Sequence, residues 1–300
     1  MTVDTPTPSL DIHPDMRALS EAGASRQPYP DGMTVRDARI ARTGQGAEPD
    51  LSARFYRPRN APSPSPCVVY LHGGDFNEGG LDCDDNVAWG VADQVGAVVM
   101  NVDYRLAKER PFPGGLEDCF AAVRYLAAQG LEQGVDPSRI AVWGDGAGGN
   151  LAAAVCLMAR DQGGPKIAAL ALHYPWLTDE LTADAYARYD GAPGLRTAAI
   201  DAAWSRYLGA ERPTHNGYAA PLKAKSFARL PPTHVHYAEY DRMADDARRF
   251  ASQIKRAGGV VAVRCAERMV HGFLRARFAG PDAKAEFAAS CAFLKIHLAL

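Results

Sequence analysis

Features that mark several protein classes are missing from this 300-residue chain. No apolar run approaches the roughly 20 residues that cross a bilayer, and residues 1–8 have neither the positive region nor the apolar core of a signal peptide. The six cysteines are scattered without a C-x-x-C pair, and the eight histidines show no spacing typical of metal ligands. We therefore expect no membrane span, no disulfide framework, no metal and a reduced cytoplasmic setting.

A strong charge of either sign is also missing. The 33 basic and 35 acidic residues give a formal net charge of −2 at pH 7. Lysine and arginine are spread along the chain without aromatic–basic interleaving, so nucleic acid is not an expected partner. The composition leaves a homodimer open.

The predicted elements alternate between strand and helix. This alternation is typical of an α/β fold, with a mainly parallel sheet and helices on both faces. At 47% hydrophobic content the chain can bury a sizeable core, and we expect a single domain over residues 1–300. The predicted strands are 51–56, 67–71, 97–102, 140–143, 167–174, 234–237 and 260–265, and the predicted helices are 116–128, 151–160 and 284–298, with a short amphipathic helix at 14–24.

The rest of the chain is organised around residues 139–150. Residues 140–143 form a short apolar run typical of a buried parallel strand, and residues 151–160 are rich in alanine and leucine, which favours a helix. Between them, four glycines occur within the six residues 144–149, so the backbone must turn sharply there. The unpaired N–H groups at the start of the helix favour negative charge in this turn.

Two known turn motifs fit these glycines. Gly144, Gly146 and Gly149 spell the dinucleotide motif G-x-G-x-x-G, and the same turn matches the nucleophile elbow G-x-S-x-G with Gly146 in place of serine. A dinucleotide site needs an acidic residue about 20 positions later, at the end of the next strand. That strand ends at 173–176 in His-Tyr-Pro-Trp, so we expect no nucleotide or other cofactor.

A nucleophile elbow requires three further motifs in a fixed order. These are an oxyanion-hole loop upstream, followed downstream by an acid and then a histidine. His72-Gly73-Gly74 follows one predicted strand, Asp241 follows another, and His271 follows a third. All three therefore occur in the required order.

Together the motifs resemble the hormone-sensitive-lipase family of α/β-hydrolases, in its bacterial carboxylesterase branch. The resemblance implies an α/β-hydrolase fold that acts on small carboxylic esters, and it implies a cap formed by about 1–50 and 175–232. A loosely held tail is the alternative for 1–50, whereas 175–232 carries enough aromatic residues for an apolar pocket. The matching motifs are HGG at 72–74, DYRLAKERPFPGGLEDC at 103–119, GDGAGGN at 144–150, AEYDRMADD at 238–246 and HGF at 271–273.

The resemblance also assigns roles to the candidate site residues. His271 is the candidate base and Asp241 its orienting acid, although Glu239 and Asp245 compete for that part. The oxyanion donors would be the backbone N–H groups of Gly73, Gly74 and Ala147. His72, Asp75 and Asp145 are further candidates, of which Asp145 is expected to be structural.

Two departures from the family pattern bear on activity. Glycine at position 146 cannot form an acyl-enzyme, and loss of a triad serine lowers kcat by about 10⁶ in a comparable protease. Asp75 stands where the family commonly has a third glycine, and a carboxylate facing a developing oxyanion would raise the barrier by charge repulsion. Two alternatives follow: Asp75 points away and leaves its N–H as a donor, or it carries protons in a different reaction.

The sequence leaves three functions open. The first is an esterase-type hydrolase whose nucleophile is replaced, as an inactivated or a naturally diverged protein. The second is a non-serine enzyme, such as a lyase, a cyclase or a water-mediated hydrolase, which uses His271 and Asp241 as its general base. The third is a non-catalytic protein that binds a small apolar molecule.

Overall fold

The computed structural model describes residues 10–16, 27–42 and 50–300. Eight strands form one sheet in the order β1-β2-β4-β3-β5-β6-β7-β8. Among these strands β2 runs opposite to the other seven, so the prediction of a mainly parallel sheet is confirmed. The strands are β1 (Thr34–Ile40), β2 (Leu51–Arg57), β3 (Ser65–Leu71), β4 (Val98–Asp103), β5 (Val135–Asp145), β6 (Ala169–His173), β7 (Thr233–Tyr240) and β8 (Val261–Val270).

Helices cover both faces of this sheet. Side chains of α2, α3 and α6 pack into one core, and those of α1 and α7 pack into the other. The central strand β5 serves both cores, because Ile140 and Val142 point to one face while Ala141 and Trp143 point to the opposite face. The helices are α1 (Asp85–Val95), α2 (Gly114–Gln129), α3 (Ala147–Asp161), α4 (Asp184–Arg188), α5 (Thr197–Leu208), α6 (Ala244–Arg256) and α7 (Pro281–Leu298).

Residues 34–40 correct the expected division between sheet and cap. They form the edge strand β1, which pairs with β2 from Thr34↔Arg57 to Ile40↔Leu51, so this part of 1–50 belongs to the sheet. Its polar sequence suits an edge strand, whose outer face is solvated. Of the helix predicted at 14–24, residues 14–16 are helical and the remainder lies outside the described residues.

Helix α1 was not predicted from the sequence. Gly90 lies in its middle, and glycine lowers helix propensity by about 1 kcal/mol relative to alanine. A Cβ at Gly90 would collide with the guanidinium of Arg277, which packs over the ring of Trp89. Tertiary packing thus requires the residue that weakens the helix signal.

An aromatic cluster holds residues 175–232 against the loop that follows β3. The ring of Phe76 in that loop stacks on Tyr207 at 3.8 Å and approaches Trp204 at 5.2 Å. Trp176 contacts the same group, 5.8 Å from Phe76. Among the described residues no helix is both long and apolar enough to span a membrane.

Candidate active site

The turn between β5 and α3 is centred on Gly146. Its φ of 54° and ψ of −114° are readily available to glycine and strained for other residues. The Gly146 N–H donates to the carbonyl of His173 at 2.9 Å, and its own carbonyl accepts from the Trp176 N–H at 3.1 Å. The turn is therefore held by the last residue of β6 and by the chain that follows this strand.

Asp241 and His271 meet beside this turn. Asp241 follows β7 and His271 follows β8, and parallel pairing brings the ends of these strands together. The Nδ1 atom of His271 lies 2.9 Å from Oδ2 of the buried Asp241. Glu239 instead accepts the Arg268 N–H, and Asp245 pairs with Arg248. Of the three candidate acids, Asp241 is the one that contacts the histidine.

The distance between Gly146 and His271 relates the turn to the histidine. A Cβ built on Gly146 would lie 3.3 Å from Nε2 of His271. Because the Asp241 carboxylate can only accept, Nδ1 carries the proton and Nε2 presents its lone pair to the turn. A hydroxyl on residue 146 would thus lie within hydrogen-bond reach of this nitrogen.

The expected oxyanion donors are backbone N–H groups of the loop after β3 and of the first residue of α3. The backbone N–H groups of Gly74 and Ala147 have no acceptor among the described residues. The Gly73 N–H points to Oδ2 of Asp84 at 3.4 Å. Arg275 holds the same carboxylate through bonds of 2.6 and 3.2 Å. Of the three expected donors, Gly74 and Ala147 therefore have N–H groups without an acceptor in the described ranges, whereas Asp84 engages that of Gly73.

His72 supports this loop from within the core. Its ring stacks on Tyr104 at 4.2 Å, and Nδ1 lies 2.6 Å from the carbonyl oxygen of Gly73. Burial lowers the pKa of His72, which keeps the imidazole neutral. The side chain does not line the cavity described below and is structural.

Asp145, at the end of β5, is held by two donors. The Tyr70 hydroxyl donates to Oδ2 at 2.9 Å, and Nε1 of Trp143 donates to Oδ1 at 2.8 Å. Burial, together with the negative charge of Asp84, raises the pKa of Asp145 to about 7. Both carboxylate oxygens are engaged, as expected for a residue that shapes the turn.

These elements surround a cavity of about 450 Å³. Asp75 and Glu78 are the two acidic residues of its lining that follow Gly74. Burial raises the pKa of Asp75. The lining also includes Gly74, Gly146, Trp176, Asp241, Met243, His271 and Arg275.

Comparisons with known proteins bear on the family and the fold of the chain. A family profile described as the alpha/beta hydrolase fold matches residues 68–275. The esterase LipI of Mycobacterium tuberculosis is 39% identical over 253 residues, which cover 83% of this chain and 78% of LipI. The carboxylesterase NlhH of the same organism is 38% identical over 237 residues, covering 78% and 74%.

The chain belongs to the alpha/beta-hydrolase family. The solved structure of a bacterial heroin esterase superposes on it with a TM-score of 0.85 at 32% identity, covering 94% of this chain and 89% of that one. EstE1, a thermophilic carboxylesterase cloned from a metagenomic library, gives 0.84 at 31% identity and covers 95% of each chain. This alpha/beta hydrolase therefore has the scaffold of a carboxylic ester hydrolase.

Two groups in the site of this hydrolase were not found from the sequence. Trp176 lines the cavity directly after β6, but its ring was counted only among the aromatic residues of 175–232. The Asp84–Arg275 pair joins residues 191 positions apart, and no local pattern signals such a contact.

The hydrolase also contains a cluster of three histidines that no spacing in the sequence indicates. Strand alternation places His234 and His236 on one face of β7, and the register places His173 beside His236. The three rings approach the hydroxyl of Ser290 in α7, at 3.0 Å from His173, 3.0 Å from His236 and 3.3 Å from His234. The hydroxyl lies at their centre as a shared hydrogen-bonding partner.

Proposed function

We propose that this protein retains the substrate site of a carboxylesterase for small esters, with Gly146 at the nucleophile position. The similarity to LipI and NlhH supports the ester class. The cavity of about 450 Å³ beside the histidine suits a small ligand.

Each group has a separate role in this proposal. His271 is the base, and Asp241 fixes its tautomer and stabilises its cation. The N–H groups of Gly74 and Ala147 receive the negative charge that develops on the ester carbonyl oxygen. Without a hydroxyl at residue 146 no acyl-enzyme forms, so the covalent route of an esterase is closed.

One observation carries the proposal. It is the distance of 3.3 Å between the Cβ position of Gly146 and Nε2 of His271. A serine at this position would place its hydroxyl against a nitrogen that is already oriented by Asp241.

The Gly146→Ser variant tests this assignment. We expect it to hydrolyse p-nitrophenyl acetate and butyrate with a rise in kcat of about 10²-fold or more over the unsubstituted protein, because serine restores the covalent route. The double variant Gly146→Ser/His271→Ala should lose this gain. The matched Gly146→Ala variant carries the same backbone strain without a hydroxyl and should show no gain.

Failure has a clear signature in this experiment. A folded Gly146→Ser protein that hydrolyses these esters no faster than Gly146→Ala contradicts the assignment. Circular dichroism and thermal unfolding establish that the compared variants are folded.

A second candidate function is proton transfer to and from carbon, and the position of Asp75 favours it. Its carboxyl group lines the same cavity as His271, and burial raises its pKa, so its protonated form extends towards neutral pH. A base and an acid that line one cavity suit a lyase or an isomerising enzyme.

Exchange at carbon in D₂O tests the second candidate. Incubated with phenylacetone, which cannot be hydrolysed, the protein should exchange the α-protons, as followed by ¹H NMR. His271→Ala should abolish the exchange, and Asp75→Asn should slow it about tenfold or more, since an amide cannot return a proton. Glu78→Gln, which changes another acidic residue of the cavity lining, is the matched control. An exchange rate equal to that of buffer contradicts this function.

A further inference from the structure

The indole N–H of Trp176 is a buried donor without an acceptor. Trp176 is 1% exposed, and its Nε1 atom has no hydrogen-bond partner within the described residues. An unsatisfied buried donor costs about 1–3 kcal/mol, so such a group calls for an explanation. The residue lines the active-site cavity, which directs attention to a ligand or a water there.

Nε1 of Trp176 and Nε2 of His271 flank the same point. A Cβ on Gly146 would lie 3.9 Å from Nε1 of Trp176 and 3.3 Å from Nε2 of His271. One of these nitrogens is a donor, and the other is an acceptor because Asp241 holds the proton on Nδ1. A water needs two or more polar partners and space for one molecule, and this side of the cavity offers both.

We propose that Trp176 and His271 hold a water at the nucleophile position, and that this water attacks a bound ester directly. The inference rests on the proposed ester site and adds an activity to it. The unsubstituted protein is then a slow hydrolase that never forms an acyl-enzyme.

The step balances without any further reactant. His271 Nε2 removes a proton from the water, and the resulting hydroxide oxygen bonds to the ester carbonyl carbon. The N–H groups of Gly74 and Ala147 stabilise the oxyanion. When the intermediate collapses, the bond to the leaving oxygen breaks and that oxygen takes the proton from His271. The products are a carboxylic acid and an alcohol.

The Trp176 N–H donates to the oxygen of this water and leaves both its protons for other partners. One proton then points to His271, which orients an oxygen lone pair for attack. A seryl side chain on residue 146 would occupy the same position and displace the water. The effect of removing the indole N–H should therefore depend on which residue occupies position 146.

The experiment compares Trp176→Phe in two backgrounds. With Gly146 present, we expect Trp176→Phe to lower kcat for p-nitrophenyl acetate about tenfold or more, since the N–H donor is lost while a smaller aromatic ring still occupies the site. The loss should be at least about tenfold smaller in the Gly146→Ser background, where serine replaces the water. Such coupling is a property that a purely structural role of Trp176 would not produce.

Trp89→Phe is the matched control for the loss of an indole donor. Trp89 is also buried with an unpartnered Nε1 among the described residues, but it packs beside Arg277 outside the cavity. Its substitution should leave kcat unchanged. A sulfonyl fluoride that blocks serine esterases should not inhibit the unsubstituted protein, which separates its activity from that of a contaminating esterase.

Direct attack by water can be distinguished from the covalent route by kinetics and by mass spectrometry. The unsubstituted protein should show no burst and no acylated species by intact-protein mass spectrometry, and its kcat should vary with the leaving group. Gly146→Ser should show a burst or an acyl adduct.

Each outcome decides between the two proposals. In one outcome the unsubstituted protein hydrolyses esters no faster than His271→Ala while Gly146→Ser is active. This outcome overturns the proposed attack by water but not the proposed ester site. Equal losses from Trp176→Phe in both backgrounds also overturn the water. Inactivity of both proteins overturns both proposals.

Discussion

At the scale of single residues, Gly146 relieves strain that another side chain would introduce. Its φ of 54° and ψ of −114° lie in a region that non-glycine residues occupy at a cost of about 1–3 kcal/mol. Glycine therefore stabilises the turn, and under the proposed function it also removes the nucleophile. Stability and covalent catalysis are opposed at this one position.

We expect Gly146→Ala to lower the free energy of unfolding by about 1–3 kcal/mol, because alanine must adopt the strained conformation. Urea denaturation at pH 7.5 measures the change. Gly96→Ala is a matched control, since Gly96 ends α1 with a φ of 77° and has nothing within 4 Å of a built Cβ; it should cost about 1–2 kcal/mol. A Gly146→Ala protein as stable as the unsubstituted one contradicts the strain argument.

Individual site residues differed in how far the sequence could predict them. Asp241 and His271 were predicted because each comes after a predicted strand, because their order along the chain matches a known mechanism, and because their motifs resemble those of a known family. The alternatives Glu239 and Asp245 could be separated from Asp241 only by their contacts. Engagement of the Gly73 N–H by Asp84 depends on a side chain from another loop, which local sequence does not encode.

At the scale of elements, the histidine cluster makes the β6–β7–α7 layer sensitive to acid. Burial lowers the pKa of His173 and His236, and it lowers that of His234 to about 3. Although burial opposes it, hydrogen bonding to His236 and Arg264 lowers the pKa of Glu286 to about 2. These groups join the strands to the C-terminal helix.

The contribution of this cluster to stability should therefore fall as the pH falls below about 6.5, the ordinary pKa of histidine, whereas the raised pKa of Asp145 acts in the opposite direction. Between that pH and the lowered pKa values, the unfolded chain binds more protons than the folded one, so the free energy of unfolding rises with pH and is fully present above this range. Each such proton contributes a slope of up to about 1.4 kcal/mol per pH unit. Urea midpoints between pH 5 and 8 measure the slope and avoid the range in which Glu286 titrates.

His234→Gln provides the decisive comparison for the cluster. Glutamine can present its amide near the Ser290 hydroxyl but does not titrate, so the slope should decrease. His215→Gln changes an exposed histidine and should leave the slope unaltered. An unchanged slope in His234→Gln would show that the acid sensitivity lies elsewhere.

Among the elements, those with strong local signals were predicted and those defined by their neighbours were not. Strands β3, β4 and β5 carry apolar runs, and α3 carries alanine and leucine, so local composition is sufficient. The polar edge strand β1 and the glycine-containing helix α1 obtain their structure from pairing with β2 and from packing around Arg277.

At the scale of the whole molecule, the order of motifs predicted the fold because each motif lies at the carboxyl end of a strand. In a mainly parallel sheet these ends share one edge, and so residues distant in sequence meet there. The sequence could not predict the shape of the cavity, which depends on how 175–232 packs on the loop after β3 through Phe76 and Trp204.

The pairing of β6 with β7 has a consequence for the integrity of this fold. Strands β1 to β6, together with Gly146 and its turn, precede Thr233, whereas Asp241 and His271 follow it. Proteolytic cleavage of the chain near the exposed residue His215 would give two fragments. The first would contain Gly146, and the second would contain Asp241 and His271. Neither fragment alone contains all three residues, so any activity that depends on them requires both parts of the chain.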